Sequence, residues 1–285
     1  MARRGSLRRR FVLLLTLAMV TGGTFTAMAF VQRSEVLITE HCTAAGGGSS
    51  DLATDQAANA GLITAVAVRR GLPARAASIA LATAMQESKL RNIGHGDQAG
   101  PDSRGLFQQR PSQGWGTLEQ VMDPYHATNA FYDALAKVPG YEALDITVAA
   151  QRVQRSAYPD AYAQHEVMAR AFASSLTGQT PAGLDCSLRD PDAAGDTAAV
   201  QERLAAAFGG LPASTEGRTL LLDAEGTQAW AVAQWAVANA KALSITEVQA
   251  EGRSWSRQAR NGWQSADIPA GQVRVTVAEE PTPKP

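Results

Sequence analysis

The feature that most constrains the fold is an almost wholly apolar segment at residues 73–88. The run PARAASIALATAMQES consists mainly of Ala, Ile, Leu and Met, and its first residue, Pro73, suits the first turn of a helix. A helix that is apolar on most of its faces is buried on most of its sides. The sequence therefore predicts a domain in which other elements pack around this helix.

The flanking segments also carry helix signals, and no strong strand signal occurs between residues 43 and 182. A helix over 54–70 ends at Gly71. Further helix starts are predicted at a capping box (Thr117–Gln120), at Asp123 followed by Pro124, at Asp145, and at Pro159, from which a last helix runs to about Leu176. These signals predict an all-α domain of about 130 residues, which is large enough for its own core.

The last third of the chain has a different pattern. Composition changes at TGQTPAG (177–183), and RDPDAAGD (189–196) reads as a second linker. After it we predict helices at about 197–208 and 227–242 and strands near 219–222, 245–249 and 272–277, the last with the alternating run VRVTV. The predicted fold class is thus a mainly α domain followed by a small α+β domain.

The amino terminus predicts a membrane anchor. Five arginines in the first ten residues precede the uncharged run from Phe11 to Val31. With a rise of about 1.5 Å per residue, a helix of this length just spans a bilayer core of roughly 30 Å, and the arginines mark its cytoplasmic side. We expect a single-pass helix in the cell membrane with the bulk of the chain outside the cytoplasm. The alternative is a signal peptide that is cleaved after Ala29, which would make the protein secreted.

These signals divide the chain into seven predicted parts. They are a basic cytoplasmic segment (1–10), a transmembrane signal anchor (11–31), a linker (32–53), the helical domain (54–182), a second linker (183–196), a small α+β domain without a metal site (197–278) and a tail (279–285).

The two cysteines, Cys42 and Cys186, bracket the helical domain. In an oxidising compartment an even pair is most simply a disulfide, and the alternative is two free buried thiols. A loop of this length would contribute roughly 4–5 kcal/mol in the chain-entropy model.

Charge and histidine spacing exclude several functions. A formal net charge of -1 argues against a protein that tracks nucleic-acid phosphates. The four histidines, at positions 41, 95, 126 and 165, lie far apart without an HxxxH spacing, so no metal site is predicted from them.

One carboxylate stands at the end of the apolar helix. Glu87 is followed by a polar, glycine-rich loop and then by the compact run 103–109. Burial and the carbonyl end of the helix dipole both disfavour a carboxylate, so the pKa of Glu87 should be raised. A carboxyl that stays protonated near neutral pH can act as a general acid on a glycosidic oxygen. The alternative is a surface glutamate at a fraying helix end, or one paired with Lys89 or Arg91.

Residues from about 54 to 176 resemble the lysozyme-like lytic transglycosylases, in particular their actinobacterial group. The matching runs are ESKLRN (87–92) and SRGLFQQRPSQGWG (103–116), followed by DPYHATNAFYDAL and AAQRVQRSAYPDAYAQH where that group has its corresponding helices. The resemblance implies that residues 54–182 form a lysozyme-like catalytic domain. Such a domain cleaves the bonds between N-acetylmuramic acid (MurNAc) and N-acetylglucosamine (GlcNAc) in peptidoglycan, without a cofactor.

The resemblance also assigns roles to residues. It implies that Glu87 is the general acid/base and that Ser103, Gly105 and Gln108 form the turn that faces it across the sugar cleft. Tyr158 falls near the aromatic residue of the last motif of the fold, although the tyrosine-asparagine-alanine-glycine form of that motif is absent.

Neighbouring residues add expectations of their own. Gln108 and Gln109 suit hydrogen bonds to acetamido and hydroxyl groups, whereas Leu106 and Phe107 are expected in the core. Trp115 lies between two glycines and could either stack on a sugar face or pack against the protein.

The count of acids bears on the mechanism. A two-carboxylate hydrolase needs a partner for Glu87, and the candidates are Asp97, Asp102 and Asp123, each of which also has an ordinary structural explanation. A lytic transglycosylase works with one glutamate, because the N-acetyl group of the sugar assists at the anomeric carbon and the 6-hydroxyl closes a 1,6-anhydro ring. The single convincing carboxylate favours that route.

The carboxy-terminal pattern WAVAQWAVANAKAL … GRSW … GW resembles a domain attached to many actinobacterial cell-wall proteins, whose intact members look like zinc D,D-peptidases. No His or Cys follows Cys186, so the zinc ligands are missing and the resemblance implies a domain for binding or spacing. We expect Trp230 and Trp235 in the core, and Trp255 and Trp263 as contact residues in polar loops.

Together these observations favour a membrane-tethered enzyme that cleaves peptidoglycan glycan strands and binds no nucleic acid. The alternative is a non-catalytic peptidoglycan-binding scaffold that recruits other cell-wall enzymes. The surviving acid at Glu87 separates the two, because a scaffold would not require it.

Overall fold

The computed structural model describes residues 38–46, 48, 51–98, 100–156 and 160–280. Within these residues the architecture is mixed α+β, and eight α-helices occur. They are α1 (Thr54–Arg69), α2 (Ala74–Ser88), α3 (Leu118–Met122), α4 (Pro124–Leu135), α5 (Ile146–Gln154), α6 (Glu166–Leu176), α7 (Thr197–Phe208) and α8 (Gly226–Ala238).

Eight strands in the same residues form two antiparallel sheets. They are β1 (His41–Ala44), β2 (Leu184–Ser187), β3 (Ala213–Glu216), β4 (Thr219–Asp223), β5 (Ile245–Ala250), β6 (Arg253–Ser256), β7 (Trp263–Ser265) and β8 (Gln272–Val277). β1 pairs with β2, and the larger sheet has the order β3-β4-β8-β5-β6-β7.

α2 is the enclosed helix that its apolar sequence predicts. Every residue from Ala76 to Ala84 is buried. The helix packs against α1, α4, α5 and α6, so other helices cover its faces. As a result, Glu87 in the last turn of α2 is carried to the edge of the helical core.

The helix starts near the site follow local capping chemistry. The side chain of Thr117 accepts a hydrogen bond from the amide of Gln120, and the Gln120 side chain accepts one from the amide of Thr117, which confirms the predicted capping box. Asp123 caps α4 through the amides of Tyr125 and His126. Asp145 precedes α5 as predicted, but its side chain makes no capping hydrogen bond.

In the carboxy-terminal part, α8 packs against strands β5 and β8 of the larger sheet. The predicted strands near 219–222, 245–249 and 272–277 correspond to β4, β5 and β8, and the predicted helix over 197–208 is α7. Three further strands, β3, β6 and β7, were not predicted. They are short and carry little alternation of buried and exposed residues, so their sequences lack the period-2 signal of a half-buried strand.

The two segments predicted as linkers each contain a strand. β1 lies in 32–53 and β2 lies in 183–196, and the two pair with Cys42 directly opposite Cys186. These two cysteines form a disulfide, as predicted. Strands of four residues in polar, glycine-rich surroundings are too short to show the alternation of apolar and polar residues that predicts a strand. Their pairing over a sequence separation of 144 residues depends on the tertiary fold.

From Glu40 onward the described residues form one compact unit. This unit has a helical part, with helices α1 to α6, and a mixed part after residue 196, with α7, α8 and the larger sheet. α1 contacts both parts, since it packs against α2 and also against α7 and α8. At Gly61 of α1 a β-carbon would lie 3.3 Å from the Trp235 ring of α8, so the small residue permits the close approach of the two helices.

A buried glutamine also links the two parts. Gln234 of α8 is fully buried, and its Oε1 accepts a hydrogen bond of 2.7 Å from the amide of Leu184. Its Nε2 donates to the carbonyls of Ser175 (2.7 Å) and Thr180 (3.1 Å). One side chain thereby satisfies three backbone groups at the end of α6 and the start of β2.

The tryptophans of the mixed part are structural. Trp230 and Trp235 are buried, as expected. Trp255 and Trp263 lie on β6 and β7 rather than in loops, and they pair across those strands. Trp255 is only 1% exposed and donates its indole N–H to Asp185, so the prediction that it is a contact residue is wrong.

The predicted membrane anchor at 11–31 and the basic segment before it lie outside the described residues. In the part of the chain that is described, no helix is both long enough and apolar enough to cross a membrane.

Candidate functional site

The site begins with the way in which α2 ends. The cap residue Lys89 and its neighbour Leu90 both have a left-handed backbone, with φ of 56°. Two side chains of α1 satisfy the carbonyls exposed there: Gln56 donates to the Lys89 carbonyl at 2.8 Å, and Asn59 donates to the Leu90 carbonyl at 2.7 Å. The last turn of α2, with Glu87, is therefore fixed to α1 rather than frayed.

The predicted turn is held against this helix end. The hydroxyl of Ser88 donates to the Leu106 carbonyl at 2.7 Å. The turn itself is closed by two backbone hydrogen bonds between Arg104 and Gln109, of 3.0 and 2.9 Å. Ser88, the residue after Glu87, thus joins the helix to the turn that the resemblance places across the cleft.

Gly105 is required by geometry. Its φ is +79°, and a β-carbon there would lie 2.2 Å from the Val121 carbonyl oxygen. Its amide donates to the Ile93 carbonyl at 2.8 Å, which pins the turn to the loop that leaves α2. The predicted role of Gly105 in shaping the turn agrees with this position.

The Glu87 side chain is partly buried, and its carboxyl accepts a hydrogen bond from the Tyr162 hydroxyl. Burial is the main influence and raises the pKa of its carboxyl, and the charge of Asp97 raises it further. Hydrogen bonds from Tyr162 and Gln154 act in the opposite direction, and burial prevails. Arg91 pairs with Asp55 instead of Glu87, with 2.6 Å between Nε and Oδ2. The environment of Glu87 therefore favours its protonated form more than water would.

Tyr162 is the residue that sequence reasoning missed. Its hydroxyl donates to Oε1 of Glu87 at 2.8 Å, while its ring is fully buried. Burial and the nearby carboxyl raise the pKa of this phenol. The predicted Tyr158 lies outside the described residues. The run AYPDAYAQH contains both tyrosines, so the signal was present, but nothing local distinguishes the one that reaches Glu87.

Gln154 connects Glu87 to the turn. Its Nε2 donates to the Phe107 carbonyl at 2.8 Å, and its side chain also hydrogen-bonds to Glu87. Phe107 is buried and stacks on Phe131, with 4.6 Å between ring centroids, as expected of a core residue. Gln154 stands at the end of α5, and its role was not predicted.

The other predicted contact residues fall into two groups. Gln108 is partly exposed, and its Nε2 donates to the Gly105 carbonyl at 3.2 Å within the turn. Ser103 is nearly buried, with 9% exposed. Gln109 is only 2% exposed, and its Nε2 donates to the Ala127 carbonyl of α4. We therefore correct the prediction for Gln109, whose side chain ties the turn to α4 and is not open to a sugar.

Trp115 is half-buried, packs against the core, and lines a pocket of about 580 Å³. Gln154 lines the same pocket. This pocket therefore adjoins the surroundings of Glu87 through one shared side chain.

Two of the three candidate partner acids are committed elsewhere. Asp102 accepts hydrogen bonds from the Arg110 side chain and from the Ser112 amide, and these lower its pKa. Asp123 caps α4. Asp97 accepts a hydrogen bond from the Gly100 amide at 2.8 Å, and it is the acid whose charge acts on Glu87.

No group of three or more His, Cys, Asp or Glu side chains within the described ranges is placed to hold a metal ion. What the arrangement offers chemically is a single carboxyl whose pKa is raised by burial and which interacts with the Tyr162 hydroxyl and the Gln154 side chain beside a polar turn. No protein-family model matches this chain, and no curated protein shows significant sequence similarity to it.

Proposed function

We propose that this protein is a peptidoglycan lytic transglycosylase with a lysozyme-like helical domain, in which Glu87 is the general acid/base. The observation that carries the proposal is the environment of Glu87. Burial raises the pKa of its carboxyl while Tyr162 and Gln154 orient it, which is the state that a donor to a glycosidic oxygen needs.

In the proposed reaction the protonated Glu87 donates its proton to the oxygen between MurNAc and GlcNAc, and the bond from that oxygen to C1 of MurNAc breaks. The carbonyl oxygen of the MurNAc acetamido group bonds to C1 and compensates the developing positive charge. The Glu87 carboxylate then accepts the proton of the 6-hydroxyl, whose oxygen attacks C1 and displaces the acetamido oxygen. Glu87 is protonated again, the product is a 1,6-anhydro sugar, and no water is consumed.

The positions of the other acids support this route over hydrolysis. A hydrolase needs a second carboxylate that activates water or attacks the sugar. Asp102 and Asp123 are engaged by Arg110, Ser112 and the start of α4. If water were the acceptor, Asp97 would be the acid to test next.

The disulfide supports an extracytoplasmic location for the catalytic part, because such bonds persist in oxidising compartments. We propose that the segment 11–31 tethers the enzyme to the membrane, and that the mixed part after residue 196 serves binding or spacing.

The test is mass analysis of the muropeptides that the full-length, detergent-purified protein releases from peptidoglycan, beside Glu87→Gln. Glutamine keeps the shape and can still accept the hydrogen bond from Tyr162, but it has no proton to give. We expect anhydro-muramyl products from the wild type and at least a 100-fold loss in the variant. Glu202→Gln, on the exposed face of α7, is the matched control and should retain full activity.

Three outcomes would contradict parts of the proposal. Cleavage retained in Glu87→Gln would remove this residue from the chemistry. Products heavier by one water would indicate a hydrolase. Uncleaved glycan with the protein bound to it would favour the scaffold.

A further inference from the structure

The charged side chains that line the pocket beside Gln154 are all positive. Among the residues around its volume of about 580 Å³ are Lys137, Arg152 and Arg155, together with Gln113, Trp115 and Gln154. No acidic side chain lines it in the described part of the chain.

No acidic side chain of the described residues pairs with these three cations. Lys137, Arg152 and Arg155 are all exposed. All three lie at helix carboxyl ends, where a cation complements the helix dipole: Arg152 is in the last turn of α5, Arg155 is its C-cap, and Lys137 directly follows the C-cap of α4. A concave surface with cations alone concentrates positive potential and attracts anions.

One side chain, that of Gln154, lies between the pocket and Glu87. Gln154 lines the pocket, and the same side chain hydrogen-bonds to Glu87 and to the Phe107 carbonyl. Gln154 is thus adjacent both to Glu87 and to the pocket, so the pocket is suited to an acidic substituent of a sugar that is held at Glu87.

The chemistry of peptidoglycan supplies such a substituent. The MurNAc ring whose C1–O bond breaks carries a lactyl ether at C3, and the stem peptide with its carboxylates extends from there. A phosphate ester on the 6-hydroxyl of that ring is excluded by the proposed reaction, because this hydroxyl must be free to close the anhydro ring.

We propose that the pocket lined by Lys137, Arg152 and Arg155 binds carboxylates of the stem peptide, so that the enzyme selects MurNAc residues that carry an acidic peptide. This inference rests on the proposed function. Trp115 and Gln113 provide an apolar wall and an amide beside the cations, which suits a peptide better than a bare ion.

The test compares two substrates that differ only in charge. One is peptide-bearing glycan, and the other is the same glycan after its peptide carboxylates have been converted to carboxamides. For the full-length wild type we expect kcat/KM to be about tenfold higher on the carboxylate form, equivalent to about 1.4 kcal/mol from several exposed ion pairs. The preference should shrink as salt is added.

The variant is Lys137→Gln/Arg152→Gln/Arg155→Gln, which should cleave both substrates with the kcat/KM that the wild type has on the amidated form. The matched control, Arg203→Gln/Arg253→Gln/Arg274→Gln, removes the same charge from side chains outside the pocket and should keep the preference. Equal cleavage of both substrates by the wild type, or a preference that survives in the pocket variant, would overturn the inference.

A binding measurement distinguishes a failure of this inference from a failure of the proposed function. Binding of both glycans to the Glu87→Gln protein measures the preference without any cleavage. If the wild type cleaves nothing but this binding preference is present and depends on the three cations, the proposed function fails and the pocket assignment stands.

Discussion

At the scale of single residues, the burial of Glu87 and the hydrogen bond from Tyr162 shift the pKa of Glu87 in opposite directions. Burial favours the protonated acid, and the hydrogen bond from Tyr162 favours the carboxylate that forms once the proton has left. A residue that must give and then regain a proton benefits from both, because burial favours the form that donates the proton and the hydrogen bond favours the form that accepts it.

Tyr162→Phe should therefore change the pH profile as well as the rate. Loss of the hydrogen bond raises the pKa of Glu87 further, so the alkaline limb, on which activity falls as the acid ionises, should move to higher pH. We expect kcat to fall by about 10- to 100-fold, the usual value of a hydrogen bond to a charged group. Rates of glycan cleavage between pH 4 and 9 measure both effects.

Tyr141→Phe is the matched control, since Tyr141 is also a buried tyrosine but does not contact Glu87. An unshifted alkaline limb in Tyr162→Phe would mean that the phenol does not influence the protonation of Glu87.

Sequence alone predicts part of the site at this scale. The role of Gly105 in the turn comes from the family resemblance, whereas Glu87 is evident as a candidate acid because it stands at the end of an apolar helix. Tyr162 and Gln109 are not evident, because the contacts of one with Glu87 and of the other with the Ala127 carbonyl depend on how α6 and α4 approach α2.

At the scale of elements, the candidate site depends on the position of the turn 103–109 against the end of α2. Gly105→Ala should unseat it, because the added methyl would lie 2.2 Å from the Val121 carbonyl oxygen in a left-handed conformation. We expect a loss of about 3 kcal/mol or more in the free energy of unfolding, measured by urea denaturation.

Gly114→Ala distinguishes the cost of a left-handed backbone from the cost of the contact with the Val121 carbonyl. Gly114 has a similar φ of +83°, but nothing lies within 4 Å of an added β-carbon. Its cost should be about 1 kcal/mol, from the backbone conformation alone. Equal costs at the two positions would show that the contact with Val121 is relieved easily.

Helix positions are predictable from sequence because their causes are local. Thr117, Asp123 and the glycine after α1 each act within one turn. β1 and β2 pair over a sequence separation of 144 residues, so no local window of residues reveals them. β3, β6 and β7 pair with neighbouring strands, and they are missed because their short sequences lack a clear alternation of buried and exposed residues.

At the scale of the whole molecule, the helical and mixed parts share buried contacts and should unfold together. Gln234→Leu keeps the volume but removes the hydrogen-bond partner of the Leu184 amide and of the Thr180 carbonyl, while the Ser175 carbonyl keeps its hydrogen bond from the Gly178 amide. We expect a loss of roughly 3–5 kcal/mol.

Unfolding followed by far-ultraviolet circular dichroism and by tryptophan fluorescence should give one coincident transition in both proteins. Gln201→Leu, exposed on α7, is the control and should change stability little. Two separate transitions in the wild type would contradict a single cooperative unit.

The disulfide acts at the same scale. Cys42→Ser/Cys186→Ser should lower the free energy of unfolding by about 5 kcal/mol, the chain-entropy value for a closed loop of this length. Because both residues are buried, the single variant Cys42→Ser should cost at least as much. A double variant as stable as the wild type would mean that the pairing of β1 and β2 alone closes the loop.

The same bond also determines how the chain carries tension. Residues 43–185 form a covalent loop that Cys42 and Cys186 close. When the protein is held at its amino end and pulled at its carboxyl end, the load passes from Cys42 to Cys186 through the sulfur atoms and bypasses the backbone of the loop. Glu87, Tyr162 and the turn 103–109 all lie within that loop, so a tether that stretches would leave the site mechanically unloaded.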